Sequence, residues 1–126
     1  MSLSQKMYGL LSGSTTLTSL TGTRIYPITL PQDPKFPAVR YAIISSVRDH
    51  AMTQDTGGVH ARVQLTSWGR TPDEAENVSE RVRATVQRLP GTTGGFECFL
   101  ENEFVDFDSD AGVYAHNLDV TVHYQE

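Results

Sequence analysis

The sequence contains a single cysteine, no long apolar run and, in its last 31 residues, no lysine or arginine. Because Cys98 has no second cysteine to pair with, an internal disulfide is excluded. Without an apolar run of about 20 residues, no transmembrane helix is expected. The first residues also lack the charged and then apolar segments of a signal peptide, so we expect synthesis in a cytoplasm.

Length and composition predict one folded domain, residues 1–126. A chain of 126 residues can bury a core without disulfides or metals and has no room for a second domain. Its 38% hydrophobic and 20% charged residues are typical of a globular protein. Cys98 is in phase with Phe96 and Leu100, which predicts a buried thiol rather than a nucleophile.

Charge is unevenly distributed along the chain. Residues 96–126 contain eight of the 15 acidic residues and no lysine or arginine, a formal charge of −8, whereas residues 1–95 hold all ten of these cations and seven acids, a formal charge of +3. This asymmetry indicates a dipolar surface that the total of −5 conceals. The negative total argues against tight nucleic-acid binding, because affinity comes mainly from neutralising phosphates. That argument outweighs a possible basic and aromatic face made by Arg24, Arg40, Arg48, Arg62 and Trp68.

Two segments have helical periodicity. Apolar residues at positions 3, 7, 10 and 11 predict a short amphipathic helix over residues 3–12. A longer helix begins at Thr71, where Pro72 suits the first turn and Glu74 lies where it can complete a capping box. It runs to about residue 89, and its apolar face consists of Ala75, Val78, Val82, Val86 and Leu89.

Between the two helices, the chain is predicted to be mostly extended after one short helical turn. Ser14 can cap a short second helical turn, and residues 24–26 can form a brief strand. Residues 27–37 hold four of the six prolines and are therefore expected to form a rigid surface arm. Residues 38–48 and 59–68 then alternate between apolar and polar side chains, which predicts a half-buried antiparallel hairpin with Val47 on its apolar face.

The connection of this hairpin is a candidate contact loop. Residues 49–58 are more than a reversal of the chain needs, and they are polar and end in glycine. The candidate contact residues in this loop are Asp49, His50, Met52, Gln54 and Asp55.

The end of the chain predicts a second hairpin. Phe96, Cys98, Leu100 and Phe104 have the same strand parity as the apolar residues of the last strand, so an even-with-even register places both sets on one core face. The predicted fold class is therefore α+β: an antiparallel sheet of at least four strands in two hairpins, with the long helix and the N-terminal helix packed on one face.

The solvent face of such a sheet has two charged halves. The candidate basic contact face consists of Arg40, Arg48 and Arg62. The candidate acidic face consists of Glu97, Glu101, Glu103 and Asp119. Opposite charges on one molecule suit a head-to-tail contact between copies, and such a contact closes into a ring when the rotation permits.

No motif fixes a catalytic or metal site. Carboxylates alternate in residues 106–112 as in a calcium loop, but positions six and twelve hold Ala111 and Asn117 instead of glycine and glutamate. His116 and His123 have opposite strand parity and face opposite sides of the sheet. No serine, histidine or carboxylate lies in a motif that fixes a nucleophile or base. A small acidic calcium-binding module, another interaction module without catalysis, and a small enzyme remain as alternatives.

The last feature of the sequence is the order in which several short segments follow one another. They are GTRIYP near residue 25, PAVRY at 37–41, RVQLTSW leading into TPDEAE at 71–76, and GVYAHNLDVTVHY near the end. In this order and spacing, over residues 3–125, they resemble the tail-completion proteins of long-tailed bacteriophages, also called tail terminators or tail-to-head joining proteins. Relatives of that family occur in prophages and gene transfer agents. Ala115 departs from the pattern, because family members often have a basic residue soon after the tyrosine at this place.

The resemblance implies a structural role in a virion. It implies a small α+β subunit that forms a hexameric ring on the finished tail tube, stops tube growth and provides the surface to which the head attaches. The implied partners are further copies of the chain, the tail tube protein and a head-completion or neck protein, with no membrane partner. It also implies no enzymatic activity and no cofactor. DNA would pass through the lumen without specific binding.

The acidic face has two uses in such a ring. It can line the lumen, where carboxylates would repel phosphates and keep the duplex from sticking. It can instead form half of the contact between subunits. The charge pattern is compatible with both.

Overall fold

The fold is a five-stranded sheet with three helices. The computed structural model describes residues 3–32, 35–50, 55–87, 96–110 and 112–125. The elements, in chain order, are α1 (Leu3–Ser12), α2 (Thr15–Thr21), β1 (Ile25–Pro27), β2 (Ala38–His50), β3 (Asp55–Gly69), α3 (Pro72–Gln87), β4 (Phe96–Asp108) and β5 (Val113–Gln125). The predicted α+β class is confirmed, and so are both predicted hairpins.

The two hairpins share one sheet because β3 pairs with β5. The strand order is β1-β2-β3-β5-β4, and the pairs formed by β2, β3, β5 and β4 are all antiparallel. The short strand β1 adds a parallel edge to β2, from Ile25 opposite Val39 to Pro27 opposite Tyr41. The sheet is therefore mixed, with β1 and β4 at its edges.

The core lies between one face of the sheet and the helices. Odd residues of β3 and even residues of β5 face it, as in the pair of Leu65 with Leu118. Burying one such side chain contributes about 1.5–3 kcal/mol, so this one face supplies most of the stabilisation. The helices contribute fully buried side chains from positions at helical spacing: Met7, Leu11, Leu17, Val78, Val82 and Val86.

A bulge in β2 reverses the side-chain phase of that strand. Ile43 pairs with Val63, but the next pair is Ser45 with Arg62. One extra residue in a strand exchanges the two faces for everything beyond it. Val47 therefore lies opposite His60 and is 62% exposed, so the prediction that it faces the core is wrong.

A second bulge does the same in β4. Leu100 pairs with Val120 on the core face, and the register then shifts so that Glu103 lies opposite Leu118. Phe104 lies opposite Asn117 on the other face of the sheet, called the uncovered face because none of the described helices packs on it. The predictions that Phe104 belongs to the core and that Glu103 belongs to the opposite face are both wrong, because alternation was assumed to continue through the bulge.

Capping explains where the helices begin. The Glu74 amide donates to Thr71 Oγ1 at 3.1 Å, as predicted, but Glu74 Oε1 accepts from the amide of Arg70 at 3.1 Å instead of from the predicted Thr71 amide. Ser14 caps α2 by accepting from the Leu17 amide. Each such cap typically contributes about 1 kcal/mol.

Strand pairing reaches further into the first hairpin than predicted. His50 and Asp55 are paired, so the strands include most of the segment that was expected to be a loop. The connection left between β2 and β3 is residues 51–54, which lie outside the described residues. Residue 89, predicted as the last apolar position of the long helix, also lies outside them.

Gly69 marks a close approach between β3 and the start of α3. A Cβ atom on Gly69 would lie 2.5 Å from the Ala75 amide nitrogen, which is backbone and cannot rotate away. Gly69→Ala should therefore lower the free energy of unfolding by about 1–3 kcal/mol or more. Urea unfolding followed by circular dichroism measures the change.

Gly9→Ala is the matched control, because a Cβ there meets nothing within 4 Å. Gly9 lies inside α1, so this variant should be neutral or stabilised by up to about 1 kcal/mol. Equal unfolding midpoints for the two variants would contradict the close approach at Gly69.

Candidate assembly surfaces

A hydrogen-bond network crosses the uncovered face of the sheet. Arg40 Nη2 donates to Gln64 Oε1 at 2.6 Å and to Thr66 Oγ1 at 3.1 Å. Thr66 Oγ1 in turn donates to Asn117 Oδ1 at 2.8 Å. Arg40, predicted as part of a basic contact face, therefore joins β2, β3 and β5 within one chain.

A shallow groove of about 540 Å³ lies over this network. Two nitrogens at the groove, Arg40 Nε and Trp68 Nε1, are buried and have no hydrogen-bond partner among the described residues. The groove is lined mainly by polar side chains of the three central strands and by the C-terminal half of β4. It is open and wide rather than a closed pocket with convergent catalytic groups.

The second predicted basic residue, Arg62, is paired within the chain. Arg62 Nη2 lies 3.8 Å from Asp119 Oδ2, so one predicted basic residue faces one predicted acidic residue on the same subunit. Exposed pairs of this kind contribute about 0–1 kcal/mol. Arg48, the third basic residue, is aligned with Val59, which places it on the helix-covered face because of the bulge in β2.

The structure divides the predicted acidic face between two surfaces. Glu97 lies opposite His123 on the uncovered face, and Glu101 is exposed at the bulge of β4. Glu103 lies on the helix side, where its Oε2 is 3.6 Å from His116 Nε2. Glu97 and Asp119 therefore lie on the uncovered face, and Asp119 is the carboxylate that already pairs with Arg62.

The predicted contact loop falls largely outside the described residues. Met52 and Gln54 lie outside them. Asp49, His50 and Asp55 belong to the ends of β2 and β3, where only the backbone is described. They extend the hairpin as paired strands.

The exposed apolar side chains were missed by the sequence analysis. Among the described residues nine large apolar side chains are exposed, and seven of these nine belong to β2 or β4. Pairs of neighbouring apolar residues, such as Ile43 with Ile44, indicate exposed apolar side chains in the sequence. A strand with one buried face needs only every second residue to be apolar, so the second residue of such a pair has no place in the core. The seven are Ile43, Ile44, Val47, Phe99, Phe104, Val105 and Phe107.

The proline-rich arm presents another exposed apolar side chain beside β2. Ile28 is 66% exposed and has φ +65°, a conformation that is strained for a β-branched residue. Two bonds hold it there: the Ile28 amide donates to Tyr41 O at 2.8 Å, and Arg40 Nη1 donates to Ile28 O at 3.1 Å. The arm is thus fixed to the sheet where β1 ends.

Aromatic rings cluster at the other end of the uncovered face. The His60 and His123 rings lie with centroids 4.2 Å apart and are tilted by 37°, and Phe99 meets His123 edge-on at 5.3 Å. Phe99 belongs to β4, so this cluster continues from the centre of the sheet to its edge. The uncovered face is therefore polar around Arg40 and aromatic toward β4, and Val47 adds an exposed apolar side chain on β2.

Chemistry at individual side chains is limited. Burial raises the pKa of the Cys98 thiol to about 11, so the thiol stays protonated at neutral pH. It is half-buried against the core, close to the predicted buried thiol.

Among the described residues, no three histidine, cysteine or carboxylate side chains lie close enough to share a metal ion. At the acidic turn, Asp108 Oδ1 accepts from the Asp110 amide at 3.0 Å. None of the described helices is long and apolar enough to cross a membrane.

Comparisons with known proteins agree with this architecture. A search of curated proteins finds no significant match. Among solved structures, a chain from the virion of a native gene transfer agent particle has a similar fold, with a TM-score of 0.68 and 16% sequence identity. The likeness covers 95% of this chain and 92% of that one. The profile of the family "Tail completion protein gp17" matches residues 5–125, nearly the whole chain. The chain therefore belongs to the tail completion protein gp17 family and is a structural tail protein of a virion.

Proposed function

We propose that the chain forms a ring, hexameric as in the family it resembles, that caps the tail tube. The ring ends tube polymerisation and supplies the surface to which the head or neck attaches. The observation that carries this proposal is the family match over residues 5–125, which includes all five described strands, α2, α3 and all but the first two residues of α1. The fold likeness to a chain of a gene transfer agent virion supports it.

The surfaces of the subunit support assembly over catalysis. Seven exposed apolar side chains on two strands of one small chain are typical of a protein that buries them against partners. The half-buried Cys98 thiol stays protonated, and the groove over Arg40 is open. We therefore propose a non-enzymatic role without a cofactor. The partners are further copies of the chain, the tail tube protein and a head-completion or neck protein.

We assign Glu97 and Glu101 of β4 to the lumen rather than to a charged contact between subunits. Arg62 already pairs with Asp119, and Arg40 already bonds to three groups of its own chain. Neither arginine needs a carboxylate from a neighbouring copy. Glu97 and Glu101 are exposed and project from the sheet, so they can repel DNA phosphates without specific binding. The ring then resides in the virion, at the tail end next to the neck, after synthesis in the host cytoplasm.

Particles made without this chain test the capping role. Tube growth should then lack its stop, so tails should vary in length and fail to join heads. Electron micrographs of lysates measure both properties, and supplying the chain from a plasmid should restore them. Tails of uniform, normal length that still carry heads would contradict the proposal.

Charge reversal tests the lumen assignment. Glu97→Lys with Glu101→Lys should leave ring mass and tail length unchanged but slow the release of DNA, because lysines attract the phosphates that pass them. The rate of DNA release from purified particles, triggered in vitro, measures the effect, and it should recover as salt is raised.

The matched control changes two exposed glutamates of α3, Glu76→Lys with Glu80→Lys. It alters the charge equally on the helix side of the sheet and should release DNA at the normal rate. Equal rates of DNA release in both double variants would contradict the lumen assignment. Failure of the first variant to form rings would assign these carboxylates to the subunit contact instead.

A further inference from the structure

We propose that neighbouring copies join edge to edge: β4 of one copy pairs in antiparallel fashion with residues 42–50 of β2 in the next copy. The ring is then closed by one continuous β-sheet. This inference rests on the proposed ring, and it identifies the two strands that form each subunit contact.

The sheet of a single copy ends on two incompletely paired edges. Among the described strands, β4 is the last of the sheet and pairs with β5 on one side, although it is 13 residues long. On the opposite edge, pairing of β1 with β2 stops at Tyr41. Residues 42–50 of β2 therefore extend past β1, paired with β3 on one side. Long edge strands of this kind are templates for pairing with another chain.

Exposed apolar side chains concentrate on these same two strands. On the N-terminal half of β4, Phe99 is 46% exposed. On the extended part of β2, Ile44 is 51% exposed. Proteins normally protect open strand edges from pairing with other chains. Contact with a second copy both pairs the open edges and buries the exposed apolar side chains.

Charge makes this contact head-to-tail rather than two-fold. β4 carries five carboxylates and no cation, so pairing β4 with a second β4 would place like charges on adjacent strands. Residues 42–50 of β2 contain one arginine and one aspartate, so their formal charge is zero and they place no net like charge opposite β4. A contact between two different edges is heterologous, and repetition of a heterologous contact gives a closed ring when the rotation permits.

Strand direction then fixes the pairing as antiparallel. The strands β2, β3, β5 and β4 alternate in direction across the sheet, so β2 and β4 run opposite to each other. A copy related by rotation about the ring axis, with its sheet continuing the first, keeps its strand directions. Its β2 therefore runs antiparallel to the β4 that it meets.

The internal register indicates which halves of the strands meet. Ile43 is level with Val63, Val120 and Leu100 along the rows of paired residues. Residues 42–50 thus lie at the height of the N-terminal half of β4, which includes the exposed Phe99. The C-terminal half of β4 lies at the height of β1 and the arm that carries Ile28.

Cysteine cross-linking of the full chain tests this contact. In a Cys98→Ser background, Ile44→Cys is combined in turn with Glu97→Cys, Phe99→Cys or Glu101→Cys. Rings assembled on tail tubes are oxidised and run on a denaturing gel. At least one pair should yield a ladder of covalent multimers that ends at the ring size, and the best pair reports the stagger between the strands.

Two controls keep the outcomes distinct. Each single-cysteine variant should remain monomeric on the gel, because the contact joins different strands. Cross-linked dimers from Phe99→Cys alone would show a two-fold contact and overturn the inference. The pair Ile44→Cys with Glu76→Cys, whose second cysteine lies on α3, should give no ladder.

The mass of the assembled particle separates this inference from the proposed function. Rings of normal mass that give no ladder with any pair along β4 would overturn the edge-to-edge contact and leave the ring intact. Absence of any ring, in the parent chain as well as in the variants, would overturn both. Thermal unfolding of each variant before assembly confirms that it is folded.

Discussion

The burial of one face of the sheet beneath α1 and α3 is the constraint on which the rest of the structure depends. Valines and leucines of β3 and β5 fill this face, and those two strands are paired on both sides. The helices leave the other face and the outer edges uncovered. The centre of the sheet is therefore stable within one chain. The apolar and acidic side chains at its edges stay exposed until another molecule contacts them.

Most of the fold could be predicted from the sequence, because periodicity and capping are local signals. The alternation around Val63 and Val120 identified the central strands, and the Thr71–Glu74 capping box identified the start of α3. The side-chain phase failed beyond both bulges, at Val47 and at Glu103. A bulge adds one residue to a strand, and the alternation of apolar and polar residues does not by itself reveal where it lies. Two neighbouring apolar residues in a strand are the signal that both of its faces are apolar.

The candidate site was less predictable than the fold for a related reason. Sequence predicts which residues are charged, but not which charges are neutralised by their own chain. Arg62 and Asp119 were assigned to opposing contact faces, yet they are 3.8 Å apart on adjacent strands. Arg40 was assigned to a surface contact, yet it bonds to Gln64 and Thr66. The exposed apolar side chains of β2 and β4 form a surface that the charge pattern does not indicate.

These features combine into one account of assembly. The carboxylates on β4 prevent two acidic edges from pairing with each other, which disfavours two-fold dimers and favours a directional contact. The same carboxylates give the finished ring a surface to which DNA does not adhere. In this account a single charged strand supports both assembly and DNA passage, and the arm fixed by Arg40 limits how far the neighbouring strand can extend along β2.

Hydrogen–deuterium exchange of the free chain and of the assembled ring tests the central claim most directly. The account predicts that amides of residues 42–50 and 96–108 exchange more slowly in the ring, because edge strands gain partners, while residues 59–69 of β3 change little because both of their sides are already paired. A ring in which protection appears only on the helices or on the proline-rich arm, with both strand edges unchanged, would contradict it.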